Sequence, residues 1–437
     1  MHAICLTLPT NRACAATISA IAAEAAHAAR HFDVEVHLLI LDSSDPATLS
    51  GHRQAVAALP ATPHVVVHHL DESEQRAFLR AVVARADVTK PDLLLDLMLP
   101  DRVSYGACTN RAFLIAAALG CRSMHRRDSD STYQTLHGAP VFPIHHELMS
   151  LGRPAREASA GVSETTLDPA LAADPVVLVG SSFVGELSVD IGEIRRLDPE
   201  VYYDVVGLWA PPAWSDERKR ELVDESFTGA GTAPFVADHS LLTVVDPMRV
   251  DMCNVAFDHA VYERVPLPPA TDTIGSDYFL LHLIHDAALP GVLHNRNIVN
   301  FYTAERRTDP GFAAYQTRLT KFFLSMLYFE FIYDRMAAAG GTLLDDARHV
   351  RPAVIADLAR ESTRSDRTDN IDRLHALDRS YRRLGGRYAE FADTLVTRGP
   401  RLLDEVQEDI EDFALLIETW DSLVRASRAT SLHEPHG

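Results

Sequence analysis

The sequence predicts an α/β protein with a mostly parallel sheet flanked by helices and a helical C-terminal part. Short apolar runs alternate with helical stretches as far as Gly120, which is typical of a parallel sheet with helices on both faces. Later apolar runs resume the strand pattern, and from about Gly311 onward nearly every segment has a helical pattern. These observations together place a long helical part after an α/β body.

The first three strands are each followed by a helix. The run "AICLTL" is apolar and rich in branched residues, which predicts a buried strand, and an Ala-rich helix follows the turn "PTNR". The runs "VEVHLLIL" and "HVVVHHL" predict two more strands, and helical patterns cover residues 46–59 and 73–87. Three strands and three helices therefore alternate in this part of the chain.

Polar residues follow the predicted strands where each strand ends. They are the turn from Pro9 to Arg12, Asp42, Asp71 and, later in the chain, Asp128. Ligands of open α/β sheets bind outside the carboxyl ends of the strands. We therefore expect these residues to share one rim of the sheet.

The next unit leads directly into a pair of carboxylates. The stretch "YGACTNRAFLIAAALG" has an apolar helical face and ends at Gly120, and glycine favours helix termination. The short strand "CRSMHRR" follows and runs into "DSDST", which begins at Asp128. Beyond it, "LGRPAREASAGVSET" has the composition of a loop, and "PVVLVGSS", "LLTVVD" and "VDMCNVAFD" predict further strands. The apolar run from Phe322 to Tyr333 is too short to span a membrane and contains Glu330, so a buried helix is expected.

The composition is that of an ordinary globular protein and argues against some classes of partner. The chain has 437 residues, of which 47% are hydrophobic and 23% charged, enough for a large core and about two packed units. Its formal net charge of −20 argues against broad binding to nucleic acid or anionic membranes, which requires clustered cations. The N-terminal stretch lacks the basic segment of a secretory signal, and the odd number of cysteines favours reduced thiols and a cytoplasmic location. The cysteines, which we expect to be packing residues, are Cys5, Cys14, Cys108, Cys121 and Cys253.

Asp128 and Asp130 are one residue apart, so in an extended chain both side chains point to the same side. Two converging carboxylates suit a hard divalent cation such as Mg²⁺ or Mn²⁺, which keeps positions open for phosphate oxygens. The alternative is a surface loop in which Asp130 or Ser131 is a helix N-cap, because such pairs are common in a chain with 61 acidic residues. The spacing alone leaves both interpretations open.

The order of these motifs resembles that of the GT-A glycosyltransferases, in particular the DxD-containing, family-2-like members that use nucleotide-sugar donors. The resemblance rests on "ICLTLPTNR", "LLILDSS", "VVVHHLDES", "GACTNRAFLIAAALG", "HRRDSDS", "GSDYFLLHLI" and "LHNRN", and covers residues 3 to about 300. Its most specific part is "NRAFLIAAALGCRSMHRRDSD", where an Asn-Arg helix, a glycine, a short strand and the acidic motif follow one another. It implies a GT-A-like, Rossmann-type sheet and transfer of a sugar from a nucleoside-diphosphate sugar.

The resemblance also implies roles for individual residues. Asp130, Asp128 and His294 would hold the metal ion, and Asp277 would take the proton from the acceptor. The usual acidic motif has two adjacent acids, whereas this chain has Ser276 before Asp277. The implied nucleotide- and donor-binding residues are Leu8, Pro9, Thr10, Arg12, Asp42, Asp71, Asn110, Arg111, Asp128 and Ser129.

Each of these roles has a purely structural alternative. Asp42 and Asp71 follow strands and could cap helices or turns. Asn110 could be an N-cap and Arg111 a solvated residue of a first helical turn. Asp277 could cap the helix that follows it.

His294 is one of 21 histidines, so a structural role is as open to it as metal ligation. The adjacent residues His145, His146 and Glu147 are a poor chelate, because neighbours on a helix point in different directions. For these three we expect acceptor contact or a structural role.

The expected protein is a metal-dependent glycosyltransferase. Residues 1–150 would form the donor-binding half, residues 151–305 the acceptor-binding half of the same GT-A domain, and residues 306–437 a helical region. The donor would be a nucleoside-diphosphate sugar, with a UDP-sugar favoured, and the cofactor manganese or magnesium. The acceptor would be a hydroxyl or amine of a small soluble molecule, such as a natural-product intermediate. Neither nucleic acid nor a membrane is expected as a partner. A homodimer that forms through the C-terminal helices is an expected assembly.

Alternative functions use the same residues. "DSDST" also fits the nucleophile loop of haloacid-dehalogenase-like phosphohydrolases, with Asp128 as nucleophile, Asp130 as acid and base, and a later lysine such as Lys219. A nucleotidyltransferase would need a glycine-rich loop after the first strand, and "LPTNR" contains no glycine. A non-catalytic scaffold would bind nucleotide sugar without consuming it.

Overall fold

The computed structural model describes residues 1–186, 191–301, 303 and 308–432. The strands of this part are β1 (His2–Thr10), β2 (Val34–Asp42), β3 (Val65–Asp71), β4 (Ser123–Arg127), β5 (Ser131–Tyr133), β6 (Thr135–Leu136), β7 (Ala139–Pro140), β8 (Glu164–Thr165), β9 (Leu178–Gly180), β10 (Phe183–Gly185), β11 (Ser240–Thr243), β12 (Asn254–Asp258), β13 (Gly291–His294) and β14 (Ile298–Asn300). The α-helices are α1 (Ala15–His31), α2 (Pro46–Ala57), α3 (Glu72–Arg85), α4 (Pro91–Met98), α5 (Tyr105–Ala118), α6 (Ile144–Ser150), α7 (Ala155–Ala158), α8 (Gly192–Leu197), α9 (Pro199–Val206), α10 (Asp216–Glu225), α11 (His259–Tyr262), α12 (Phe279–Asp286), α13 (Asp309–Ala339), α14 (Pro352–Ser362), α15 (Thr368–Leu384) and α16 (Gly386–Arg428).

The largest sheet in the described part of the chain has nine strands in the order β3-β2-β1-β4-β12-β9-β13-β11-β8. Five of its eight strand pairs are parallel, while β12 runs antiparallel to both of its neighbours and β11 runs antiparallel to β13. The order β3-β2-β1-β4 is that of a Rossmann-type sheet. The prediction of a mostly parallel, Rossmann-type α/β fold with a helical C-terminal part is confirmed.

The first strands are apolar because helices cover both faces of the sheet. On one face, Ile18 and Ile21 of α1 pack with Leu6 and Leu38 of β1 and β2. On the other face, α5 is buried along nearly its whole length, which explains why "RAFLIAAA" is apolar all round. Gly120, just after α5, has a φ of 69°, so the predicted glycine stop is confirmed.

The carboxyl ends of the first strands meet at one rim, as expected. Thr10 at the end of β1 is the register partner of Asp42, and Asp42 is the register partner of Asp71. Arg126 of β4 pairs with Thr7 on the other side of β1, so Asp128 emerges at the same edge. Four chain segments thus leave the sheet next to one another.

The segment after residue 150 is more ordered than the predicted loop. Ala155 and Ala158 of α7 are buried in a small core with Val176 and Val179. Strand β8 pairs with β11 and closes one edge of the sheet. The small residues of this segment therefore allow close packing, although its composition predicted a loop.

Helices α13 to α16 form the predicted helical part and pack against the α/β body through α5 and α12. Trp420 of α16 is fully buried, and its Nε1 donates to the carbonyl of Tyr262 at 2.8 Å. Lys321 of α13 is also buried, with Nζ 2.8 Å from Oδ2 of Asp409 on α16. The stretch from Phe322 to Tyr333 lies within α13 and is a mostly buried helix, as predicted. Among the described residues, no helix is long and apolar enough to cross a membrane.

Candidate active site

A cavity of about 1070 Å³ opens at the carboxyl edge of the sheet. The segments that form its walls are the turn 9–12 after β1, residues 128–130 after β4, residues 247–252 before β12, residues 274, 275, 277 and 278, and one face of α13. The α/β body and the helical part therefore both contribute to it. A cavity of this size accommodates a ligand with several rings.

In the folded protein, the side chain of Arg126 lies between Asp128 and Asp277, which belong to the two acidic motifs. Its Nη1 donates to Oδ2 of Asp277 at 2.7 Å and to Oγ1 of Thr109 at 3.1 Å. Its Nη2 lies 3.2 Å from Oδ1 of Asp128. The guanidinium is 2% exposed, so one buried cation fixes the orientation of both carboxylates.

Asp130 faces the turn after β1. Arg12 Nη1 donates to its Oδ2 at 3.0 Å, and the backbone carbonyl of Asp130 accepts from Phe301 N at 3.0 Å. The next residues form strand β5, paired with β14, so the alternative in which Asp130 or Ser131 caps a helix is wrong. Ser129 lines the cavity, and its carbonyl accepts from Thr17 Oγ1 at 3.1 Å.

The carboxylates around Asp128 leave an excess of negative charge. Burial, together with the neighbouring carboxylates of Asp130, Asp251 and Asp277, raises the pKa of Asp128 to about 6, although Arg126 acts in the opposite direction. Asp251 is held by Tyr278, whose hydroxyl donates to its Oδ2 at 2.7 Å. Oxygen ligands with excess negative charge are the environment that Mg²⁺ and Mn²⁺ require, so these residues fit a divalent cation.

His294, at the end of β13, is buried and lines the cavity. Its Nδ1 accepts from the backbone N–H of Arg296 at 3.2 Å, so the proton of the neutral ring lies on Nε2. Burial and the neighbouring His146 lower the pKa of His294 well below its ordinary value, which keeps the ring neutral. In the described part of the chain Nε2 has no hydrogen-bond partner. It is therefore a donor, and the predicted metal ligation would require removal of its proton.

Asp42 is held in a second cluster, with His52 and His69, in which the three ligand atoms lie within 4.8 Å of one another. Oδ2 of Asp42 lies 2.7 Å from Nδ1 of His52 and 2.9 Å from Nε2 of His69. Burial opposes ionisation, but the bonds from His69, Ser44 and His52 lower the pKa of Asp42 below its ordinary value. The backbone N–H of Cys14 donates to Nε2 of His52, so Nδ1 carries the proton and points it at Asp42. The three side chains are thus joined by hydrogen bonds around one carboxylate oxygen, and their ligand atoms are close enough together to hold a metal ion.

Asn110 and Arg111 lie in the middle of α5, whose N-cap is Ser104, so the N-cap alternative for Asn110 is wrong. The amide of Asn110 exchanges two hydrogen bonds of 2.8 Å with the backbone of Leu267, and Asn110 does not appear in the cavity wall. Arg111 does line the cavity but is buried, so the solvated alternative is wrong. Its Nε donates to Oε1 of Gln75 at 2.8 Å and its Nη1 to the carbonyl of Met98 at 2.7 Å.

The remaining predicted donor-binding residues divide between the cavity wall and the protein core. Pro9, Thr10 and Arg12 line the cavity, whereas Leu8 is fully buried in the core beneath α1. Asp71 lies outside the cavity wall and caps α3 in a capping box with Glu74, so the capping alternative is confirmed for this residue. Leu8, Asp42, Asp71 and Asn110 do not line the cavity.

Arg127 lies on the opposite face of β4 from Arg126. Its Nη2 is 2.8 Å from Oε1 of Glu24 on α1 and 3.0 Å from Oε1 of Glu147 on α6. Glu24 also accepts from Tyr133 Oη at 2.6 Å, and Glu147 is 2.7 Å from Nδ1 of His125. Burial alone would lower the pKa of Arg127, but the carboxylates of Glu147 and Glu24 raise it well above its ordinary value. This buried network holds α1 and α6 against the sheet.

The adjacent residues His145, His146 and Glu147 diverge, as expected. Glu147 is fully buried with Arg127, while Nε2 of His146 lies 3.0 Å from Oδ1 of Asp238. The ring of His145 packs edge-on against Phe32. The three residues thus have separate structural contacts and form no chelate.

Sequence reasoning missed Arg126, Asp251 and the cavity-lining face of α13. Arg126 had the one available signal, since a strand of five residues that carries two arginines and is buried must supply each with a partner. Asp251 stands in "VDPMRVDMCN", where its spacing carries no recognisable pattern. The apolar residues of α13 were predicted to lie only in the protein core, and not to line a cavity.

Several solved structures are similar to this chain. M. tuberculosis glucosyl-3-phosphoglycerate synthase is 16% identical with a TM-score of 0.34, over 74% of this chain and 80% of that chain. The mannosyltransferase PcManGT from Pyrobaculum calidifontis, in complex with GDP-Man and Mn²⁺, is 13% identical with a TM-score of 0.32, over 95% and 85%. Core-mannan synthase A from Aspergillus fumigatus, in an Mn/GDP form, is 8% identical with a TM-score of 0.22, over 65% and 64%.

At the level of sequence, no curated protein matches the chain. One family model does, over residues 2–436, and its description is "Family of unknown function (DUF6271)". Because the match extends over almost all of the 437 residues, the chain belongs to the DUF6271 family.

Proposed function

We propose that this protein is a metal-dependent glycosyltransferase that uses a nucleoside-diphosphate sugar. The observation that carries the proposal is the convergence of Asp128, Asp130 and Asp277 on one cavity, with Arg126 joining two of them. Metal ligands for a diphosphate and a carboxylate for an acceptor hydroxyl are the two requirements of such a transfer. Both meet at the carboxyl edge of the sheet, where ligands of this fold class bind.

The residues divide into two roles. Asp128 and Asp130 would hold the cation, which supplies stabilisation of the charge that develops on the departing diphosphate. Arg12 orients Asp130, and Arg111 lies in the wall where a phosphate oxygen could reach it. His294 would donate a hydrogen bond from its Nε2 to an oxygen of the nucleotide sugar, in place of the metal ligation predicted for it.

Asp277 would accept the proton of the attacking hydroxyl. Its Oδ2 accepts from Arg126, and this bond fixes the carboxylate relative to the pair Asp128 and Asp130. A base must be within hydrogen-bond reach of the proton it removes, so a fixed carboxylate in the wall favours catalysis. The donor would lie with residues 1–150 and the acceptor with residues 151–305, and α13 would complete the acceptor side.

The position of the lysines favours transfer over the phosphohydrolase alternative. Lys219 lies on α10, donates to the carbonyl of Pro212, and is not in the cavity wall. Lys321 is buried against α16, and Lys90 is the N-cap residue of α4. None of the three lines the cavity that contains Asp128, where the required lysine would be expected.

A thermal-shift panel of nucleoside diphosphates and nucleotide sugars, with and without manganese, tests the proposal. A ligand that binds only the folded state raises the melting temperature. At a ligand concentration of about 100 times its Kd, the free energy of unfolding increases by roughly 2.7 kcal/mol. We expect a shift with one base, a UDP-sugar first, that increases with manganese. No shift with any nucleotide, together with release of phosphate from sugar phosphates, would support the phosphohydrolase instead. Binding without transfer or hydrolysis would support a non-catalytic scaffold.

A further inference from the structure

The cavity has two chemically different walls. The wall described above is acidic and comes mainly from the sheet edge. The opposite wall is one face of α13, which presents residues at helical spacing, and aromatic residues of the neighbouring segments extend it. Trp209 lies against Phe322, with ring centroids 5.4 Å apart, and Tyr333 stacks on His282 at 3.9 Å. The cavity-lining residues of α13 are Gly311, Ala314, Tyr315, Arg318, Phe322, Ser325, Met326, Phe329 and Tyr333.

Arg318 is the single charged residue of that face. Its neighbours in the wall are apolar or aromatic, and Nε is buried without a hydrogen-bond partner in the described part of the chain. Within the same described residues its guanidinium makes no ion pair, in contrast to Arg12, Arg126 and Arg249 in the same cavity. A cation without a carboxylate beside an apolar wall is a site for an anionic group of a ligand.

Phe322 links this wall to the proposed base. Gly275 has a φ of 76°, and a Cβ there would lie 2.8 Å from Cε2 of Phe322, so the loop carrying Asp277 rests directly on this ring. Arg318 precedes Phe322 by four residues, which is about 6 Å along a helix. A compact molecule can therefore contact Arg318 at one end and approach Asp277 at the other.

We infer that the acceptor is a compact molecule with an aromatic or similarly apolar body and one anionic group, which Arg318 binds. This inference rests on the proposed glycosyl transfer, because it assigns the acceptor of that reaction. The apolar body would lie on the rings of Trp209 and Phe322. A carboxylate or phosphate would form two parallel bonds with the guanidinium, while a hydroxyl at the far end reaches Asp277.

Calorimetric titration of the full chain without a sugar donor tests this assignment. The probes are 4-hydroxybenzoate, its neutral analogue 4-hydroxybenzamide, and lactate, which is anionic but lacks the ring. We expect 4-hydroxybenzoate to bind about ten- to a hundredfold more tightly than either of the others, as a charge-assisted pair on an apolar surface predicts. Equal binding of the acid and the amide, or binding of neither, would contradict the inference.

Substitutions of Arg318 and of a second cavity arginine distinguish binding by Arg318 from the general electrostatic field of the cavity. Arg318→Gln should bring the two aromatic probes to the same affinity, and Arg318→Lys should retain part of the preference for the acid. Arg249→Gln is the control, since Arg249 lines the same cavity but has Glu225 and Asp246 beside it. If Arg318→Gln still prefers the acid, another residue binds it and the inference is wrong. Nucleotide binding in the thermal-shift panel is independent of these probes, so each proposal can fail alone.

Discussion

Arg126 and Asp277 are separated by 151 positions in the chain, yet Nη1 of one lies 2.7 Å from Oδ2 of the other. The contact joins β4 to the turn that precedes α12, and both side chains are almost completely buried. It also brings the base of the proposed reaction to the residues that follow β4. The chemistry of the cavity depends on this pairing, so it is the first target for substitution.

Asp277→Asn should lower the rate of transfer strongly while leaving donor binding intact. The amide keeps the size of the side chain but cannot take up a proton, and loss of a general base typically lowers kcat about 10²- to 10⁴-fold. Steady-state kinetics with the donor identified by thermal shift would measure kcat and KM separately. Asp224→Asn is the control, because Asp224 lines the same cavity but is bound by the Tyr203 hydroxyl. Unchanged kcat in Asp277→Asn would remove this residue from the mechanism.

Asp130→Asn should eliminate metal-stimulated hydrolysis of the donor. The substitution removes the charge of a proposed oxygen ligand and weakens the bond to Arg12 with little change in the volume of the side chain. Circular dichroism should show an unchanged fold, since the backbone of Asp130 keeps its bond to Phe301. Full activity of the unaltered protein in excess chelator would show that no metal takes part.

Arg127→Ala should destabilise the protein strongly without altering the cavity wall directly. It would leave Glu24 and Glu147 buried without their cation, and breaking a buried ion pair from one side costs about 3–5 kcal/mol. Denaturant unfolding would measure the difference. Arg425→Ala, which removes an exposed pair with Asp421, should cost less than about 1 kcal/mol. Similar losses in both variants would contradict a structural role for the Arg127 network.

Glu330 should make the stability of the helical part depend on pH. Burial raises the pKa of Glu330 to about 7 from 4.5, although Arg373 opposes the change. Between these two values the folded state binds more protons than the unfolded state, so the free energy of unfolding falls as pH rises. A difference of that size corresponds to about 3 kcal/mol. The free energy of unfolding, measured by denaturant titration at several pH values from 4 to 8, should depend less on pH in Glu330→Gln than in the unaltered protein. The same pH dependence in both proteins would exclude the effect.

Local sequence patterns predicted the rim of the sheet but not the partners across the cavity. Strand ends that are followed by polar residues can be recognised in the sequence. The structure confirms that Thr10, Asp42 and Asp71 lie side by side. The contact of Arg126 with Asp277 depends on the packing of distant segments, which hydrophobic periodicity does not encode. The same holds for Asp251, which the Tyr278 hydroxyl binds.

A few unpredicted features had a signal that physical reasoning could have used. Glu24 is an isolated carboxylate among alanines on α1, and an acid on an otherwise apolar helix face requires a buried cation. Arg127 is that cation. By contrast, Asp42 could not be assigned from its position, because its partners His52 and His69 come from two separate elements.

The alternation of side chains along β4 gives two consecutive arginines separate tasks. Arg126 points to α5 and the cavity, while Arg127 points to α1 and the structural network. A single-residue insertion or deletion in β4 would exchange the two faces, because side chains alternate with a period of two. Reactivity and folding would then be lost together. The length of β4 is therefore constrained twice, once by the cavity and once by the buried network.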